Sequence, residues 1–166
     1  MIRNGEWWKS KSYVIIGRES IEALFYAGDI IMNILFFLTP KVEVKCIDAS
    51  STVRQALEKL QASGYTALPI INKRGKYVGT ISEGDLLWFI KAHPEMNLFD
   101  TEDVSLKCVE RRRDNKPVSV NEDIDSLWEK IIAQNFVPVI DDDNIFIGIV
   151  TRKAVVSHLA KECKDK

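Results

Sequence analysis

The sequence predicts an α/β (α+β) fold made of two β-α-β-β-α units in tandem, and three observations predict it. The stretch Gly79-Thr80-Ile81-Ser82-Glu83-Gly84-Asp85 reads as a strand running directly into a helix. Ser82 stands as the N-cap, and Leu86, Leu87 and Ile90 follow on one face at helical spacing. The same pattern returns 69 positions later as Gly148-Ile149-Val150-Thr151-Arg152-Lys153-Ala154, with Val155, Val156 and Leu159 in place of Leu86, Leu87 and Ile90. The apolar run Ala67-Leu68-Pro69-Ile70-Ile71 returns as Phe136-Val137-Pro138-Val139-Ile140, again 69 positions on. The chain is therefore a tandem duplication.

Taken in order, residues 1–31 have neither a strand nor a helix pattern, with Glu6-Trp7-Trp8-Lys9-Ser10-Lys11 the clearest case. They are expected to be a leader ahead of a biological start at Met32, the other reading being a genuine N-terminal arm that packs its two tryptophans. Ile30 to Leu38 predicts a short apolar helix stopped by Thr39-Pro40, because the residue before proline is pushed out of the α region. Val42 to Ile47 alternates as a strand. Asp48 to Ser51 offers N-caps for a helix whose face is Val53, Ala56, Leu57 and Leu60, ended by Gly64. The Ala67–Ile71 run follows, then the turn Asn72-Lys73-Arg74-Gly75 and a strand from Lys76 to Ile81. The first repeat is thus placed at 32–92, a polar connector with a short helix near Asp103 to Val109 at 93–115, and the second repeat at 116–162. In the second repeat Ile124, Leu127, Trp128, Ile131 and Ile132 form the apolar helical face. The turn Asp141-Asp142-Asp143-Asn144 lacks the glycine and terminal glutamate of an EF-hand loop and reads as a solvated hairpin turn.

Composition narrows the function. With 46% hydrophobic and 28% charged residues the chain can bury a core without disulfides or a structural metal. A net charge of -1 gives no whole-chain footprint for nucleic acid or an anionic membrane, so any anion site must be local. Cys46, Cys108 and Cys163 are far apart and odd in number, which fits free thiols in a reducing cytoplasm. With no CxxC pair and only His93 and His158 to assist, no metal is expected. The apolar run at Ile30–Leu38 is shorter than the roughly 20 residues that span a bilayer. There is no P-loop, no dinucleotide fingerprint and no nucleophile–base pairing, so an enzyme is not expected and catalytic residues are none.

Small-hydrophobic-Pro-hydrophobic, a turn, then hydrophobic-Gly-hydrophobic-x-Ser/Thr-x-x-Asp before a helix, in two copies, resembles the CBS domain family, and the resemblance runs from Thr39 to about Leu159. It implies a tandem pair, a Bateman module, with two sheets related by a pseudo-two-fold axis and clefts that take adenosine derivatives. It is similar in particular to the stand-alone two-CBS proteins of Gram-positive bacteria. Some of these bind cyclic di-AMP, and their second repeat ends in Thr-Arg-Arg or Thr-Arg-Lys without the aspartate, much as Thr151-Arg152-Lys153-Ala154 does. The resemblance implies a non-catalytic sensor of AMP, ADP or ATP that signals to an unknown regulated protein; cyclic di-AMP is the alternative ligand and a ligand-free dimerising scaffold the third reading. Helix-mediated homodimers are common in the family, and Trp88, off its helix's apolar stripe, suits such a surface.

The residue types have physical reasons to serve such a ligand. Asp85 can accept two charge-assisted hydrogen bonds from a ribose cis-diol, Ser82 and the free N–H groups of its helix attract phosphate, and Gly79 permits close backbone approach. Yet Ser at N-cap with an acid three residues on is equally a capping box that needs no ligand. Tyr65, Thr66 and Ala67 resemble the family's adenine-reading segment, with Tyr65 able to stack on the base, and Lys45 and Val137 are placed with them as ribose or adenine contacts, Lys45 fitting a solvated charge as well. In the second repeat Ala154 replaces the aspartate, while Thr151, Arg152 and Lys153 suit phosphate, joined by Arg111, Arg112 and Arg113. Those three arginines, taken singly, also fit a solvated linker.

Overall fold

A computed structural model describes residues 33–162 of the chain. The expected leader, the start at Met32 and Cys163 lie outside the described residues.

After a single 3-10 turn at Ile34–Phe37, strand β1 (Leu38–Pro40) leads through a second 3-10 turn, Lys41–Glu43, to β2 (Ile47–Asp48). Helix α1 (Val53–Ser63) opens on a complete capping box between Thr52 and Gln55 and closes at Gly64 in the left-handed conformation, φ 68°. Its face Val53, Ala56 and Leu60 is buried. Strands β3 (Ala67–Ile71) and β4 (Tyr77–Ser82) form an antiparallel hairpin and feed helix α2 (Glu83–Ala92). The second repeat runs β5 (Val118–Ser119), α3 (Ile124–Ala133), β6 (Phe136–Ile140), β7 (Phe146–Thr151) and α4 (Arg152–Glu162). Both hairpin turns use the same device. The Asn72 side chain accepts from the N–H groups of Arg74 and Lys76, and Asp141, 69 positions later, accepts from Asp143 and Ile145. Asp141 is thus the hydrogen-bond cap of the second turn, and no metal-binding cluster occurs among the described residues.

Two expectations for the N-terminal part are corrected. The Ile30–Leu38 helix is one 3-10 turn within its described portion, and the Val42–Ile47 strand contracts to Ile47–Asp48. Val42 is 93% exposed and Lys41–Glu43 winds into a 3-10 turn, so the first half of that stretch does not pair in a sheet. Likewise the connector helix near Asp103–Val109 is a pair of 3-10 turns, Asp100–Glu102 and Leu106–Cys108, the second carrying the buried Leu106. Backbone bonds from Val53 to Val104 and from Leu106 to Ser51 tie this stretch to the start of α1, and Leu106 and Val109 join the first repeat's core.

The sheets do not each keep to one repeat. One sheet is β2-β3-β4; the other is β1-β7-β6-β5, in which β1 pairs antiparallel with β7 through Leu38–Val150 and Pro40–Gly148. The first repeat's leading strand therefore completes the second repeat's sheet. Gly148 is required there, since a Cβ would run into the Thr39 carbonyl. Where the hairpins meet, residues 69 apart face each other: Lys76 bridges Ile145, and the Tyr77 ring stacks on Phe146 at 6.3 Å. Counterparts in contact mark a pseudo-two-fold axis passing between them. The repeats match at an offset of 71 from Val53 and Ile124 at the start of the first helix and 69 after it, so the second repeat is two residues shorter from the start of that helix to the following strand.

Candidate functional site: a cleft between the repeats

The crossing of β1 onto β7 and the approach of the hairpins leave a cleft of about 440 Å³, within the range of small-molecule sites. Each wall follows from a local cause. Gly64 ends α1 and turns the chain so that Tyr65, Thr66 and Ala67 line one side, with Tyr65 58% exposed. The chain between β1 and β2 supplies Glu43, Val44 and Lys45. From the second repeat come Asn135 and Phe136 at the start of β6, then Thr151 and Lys153 where β7 passes into α4. Four of the residues singled out from the first repeat and two from the second thus meet in one space.

The N-terminus of α4 differs from that of α2 in a way that matters for anions. α2 carries Glu83 and Asp85 in its first turn, whereas α4 carries no acidic residue there. Thr151 caps α4, its hydroxyl accepting from the Ala154 N–H at 3.1 Å. The partial positive charge of this helix end is left uncompensated and adds to Lys153 and Lys45 around the cleft. Glu43 is the one carboxylate among the lining residues.

The remaining singled-out residues lie elsewhere. Asp85 is 4% exposed and fully engaged: its Oδ2 accepts from the Ser82 N–H and hydroxyl at 3.0 and 2.6 Å, and its Oδ1 accepts from the Arg112 N–H at 3.1 Å. The Ser82–Asp85 pair is a complete capping box. Gly79 lies under the Asp114 carboxylate, which accepts from the Thr80 N–H at 2.8 Å and forms an ion pair with Arg111 at 2.9 Å. The Arg112 guanidinium lies 4.8 Å from the centre of the Trp88 ring, and Arg113 is exposed. Arg152 donates to the carbonyls of Ile131, Ile132 and Gln134 at the C-terminal end of α3, at 3.1, 3.2 and 3.0 Å. Val137 is fully buried and pairs with Val150. Thr39, Glu43, Asn135 and Phe136 line the cleft without having been singled out. Asn135 and Phe136 could have been found by superposing the repeats, as counterparts of Thr66 and Ala67, but Thr39 enters only through the crossed strand, for which the sequence has no local signal.

Burial raises the Tyr77 hydroxyl well above its ordinary value near 10, with Asp114 adding to the shift. The hydroxyl donates to the Asn115 carbonyl at 2.7 Å and lies 2.8 Å from the Thr80 hydroxyl. No helix among the described residues is long and apolar enough to cross a membrane.

Comparison with known proteins accounts for this architecture. The family model of the CBS domain matches residues 29–92 and 109–161. The chain is 24% identical over 134 residues to cyclic di-AMP receptor B of Bacillus subtilis, covering 78% of this chain and 87% of the relative. It is 29% identical over 113 residues to the A-adding tRNA nucleotidyltransferase of Aquifex aeolicus, a match that takes in 67% of this chain but spans only 12% of that enzyme. Among solved structures it is similar to CbpB in complex with c-di-AMP, with a TM-score of 0.72 and 24% identity over 89% of this chain and 98% of the other. It is also similar to CBSX2 in complex with AMP, with a TM-score of 0.58 and 24% identity over 80% and 98%. Two matches of the family model, two copies of one β-α-β-β-α unit about a pseudo-two-fold axis and a cleft between them lead to one conclusion: the chain belongs to the CBS domain family.

Proposed function

We propose that this chain is a non-catalytic regulatory module that binds an adenine nucleotide in the cleft between its repeats, at 32–92 and 116–162, and conveys occupancy to a partner protein. The observation that carries the reading is the cleft itself, where Tyr65, Thr66 and Ala67 face the acid-free N-terminus of α4 with Lys153 and Lys45 beside it. A purine stacked on the Tyr65 side would direct its phosphate toward those cations. Occupancy acts on the partner to the extent that the ligand binds one conformational or oligomeric state better than another. A homodimer is part of the proposal, since Leu87, Trp88 and Val156 expose apolar surface on α2 and α4, at 60%, 42% and 54%. So is a cytoplasmic location, which suits the free thiols of Cys46 and Cys108.

Of the two ligand classes, cyclic di-AMP is favoured over AMP, ADP or ATP. Ala154 stands where an aspartate would grip a ribose cis-diol, and α4's first turn offers no substitute. A mononucleotide has that diol free. In a cyclic dinucleotide the 3′ oxygen is tied into the phosphodiester and only the 2′ hydroxyl is left to donate, so a cleft without the aspartate forgoes less in binding it. The similarity to cyclic di-AMP receptor B supports the same choice. A thermal-shift panel of AMP, ADP, ATP, S-adenosylmethionine, cyclic di-AMP and a guanine control tests it, because a ligand of the native state raises Tm by mass action. The expected result is stabilisation by cyclic di-AMP and not by guanine nucleotide. Stabilisation by AMP alone would overturn the ligand choice, and no shift with any of them would leave a dimerising scaffold.

A further inference from the structure

We infer that the connector segment 111–116 is an internal latch that closes the second inter-repeat cleft, so that the chain presents one open nucleotide site and one that opens only when the connector is displaced. This rests on the reading of the first cleft as a nucleotide site. The pseudo-symmetry says what the second cleft should contain. At the offset of 71 that precedes the helices, Glu43, Val44 and Lys45 correspond to Asp114, Asn115 and Lys116; at the offset of 69 that follows them, Thr151 corresponds to Ser82 and Ala67 to Phe136.

In the first cleft the members of this set line a cavity. In the second they are tied to one another. Asp114 accepts from the Thr80 N–H and is held by Arg111. Asn115 accepts from the Tyr77 hydroxyl at its carbonyl and donates its side-chain amide to the Phe136 carbonyl at 2.9 Å. Lys116 and Gln134 exchange two hydrogen bonds, 2.7 and 3.1 Å. Asp85, the carboxylate that a ribose would need, accepts the Arg112 main-chain N–H instead. The connector thus satisfies with its own groups both a buried backbone donor, at Thr80, and a buried carboxylate, at Asp85, that are 3% and 4% exposed. A ligand can reach them only by taking over those bonds. The latch also touches the open site, because Phe136 lines the first cleft and Asn115 holds its carbonyl. Filling one cleft therefore bears on how firmly the other is closed.

The test uses the whole chain and three variants: Asp114→Asn, which keeps an acceptor for Thr80 but breaks the ion pair, Asp114→Ala, and Arg111→Ala. Calorimetry counts cyclic di-AMP and AMP bound per chain, and amide exchange reads Thr80 and Arg112 without any ligand. A site that is closed nine-tenths of the time binds about tenfold more weakly than the open one. The wild-type chain is expected to bind one nucleotide, and Asp114→Ala to show a second site or one strengthened about tenfold, with faster exchange at both amides. Arg111→Ala and Asp114→Asn should fall between. Two equal sites in the wild-type chain, or unchanged exchange at Arg112 in every variant, would overturn the latch. If no nucleotide binds any of the proteins, the reading of the first cleft fails, while exchange at Thr80 and Arg112 still decides the latch: faster exchange in Asp114→Ala supports it and unchanged exchange in every variant overturns it.

Discussion

Arg152 is the residue at which a ligand-binding role and a structural role make opposite predictions. Its guanidinium gathers three carbonyls left open at the C-terminal end of α3, so Arg152→Ala strips a cap from one helix without touching the cleft. A hydrogen bond from a charged donor is worth about 1.5–3 kcal/mol when shielded from water. The bond to Ile131 is partly buried and those to Ile132 and Gln134 are exposed, so the three together should contribute about 2 kcal/mol. For a domain of this length each kcal/mol moves Tm by about 2–4 °C, and the variant should therefore melt about 4–8 °C lower. Arg152→Lys should recover less than half of that, because a point charge cannot fork across three acceptors. Melting curves with and without nucleotide are the assay, and the ligand-induced rise in Tm should be the same in variant and wild type. A Tm within about 1 °C of wild type together with loss of the ligand-induced rise would refute this reasoning and return Arg152 to the phosphate.

Gly148→Ala places a methyl group on the Thr39 carbonyl, and because backbone cannot step aside β1 must separate from β7; a loss of about 2–3 kcal/mol is expected in a denaturant titration. Tyr77 gives a pH dependence on the alkaline side. Its folded-state pKa lies above the unfolded value of 10.0, so the unfolded chain loses this proton first and the contribution to stability, complete below pH 10, is lost as pH rises beyond it. Tyr77→Phe should flatten the fall in stability above pH 10 measured by urea titration. Ala154→Asp should shift preference from cyclic di-AMP toward AMP by about tenfold in calorimetry, the equivalent of one charge-assisted hydrogen bond. Lys153→Ala should weaken binding of either nucleotide and lessen its salt dependence, since one phosphate partner is gone.

The duplication was legible because it repeats side-chain patterns that obey local rules. Caps, turn residues and apolar faces depend on neighbours a few positions away, and Gly64, Asn72 and Ser82 do what their types predict, while the cap expected within Asp48–Ser51 falls one residue on, at Thr52. The destination of Leu38–Pro40 was not legible, because its partner lies more than 100 positions on and three residues carry no alternation to reveal a face. Helical stripes were read too broadly for the same reason. Leu86 and Leu87 are adjacent and so point about 100° apart on a helix. Only Leu86 reaches the core, and Val155 and Val156 repeat the division. At the site, Ser82 and Asp85 were compatible with a ligand or with a cap, and only the position of Arg112 relative to them separates the two in this conformation. Tyr65, Thr66, Ala67 and Lys153 converge because the repeats pack about an axis that no single repeat encodes.

That axis, running between Lys76 and Ile145 and between Tyr77 and Phe146, has a bearing on how two clefts of unlike chemistry could arise. Two separate copies of one repeat meeting there would form an isologous contact, each residue facing itself, and every substitution would appear in both clefts at once. Joining the copies in one chain removes that constraint. Lysine can then face isoleucine across the axis, alanine can replace aspartate at one helix start while the other keeps it, and a single polypeptide can hold two pockets that answer to different occupants.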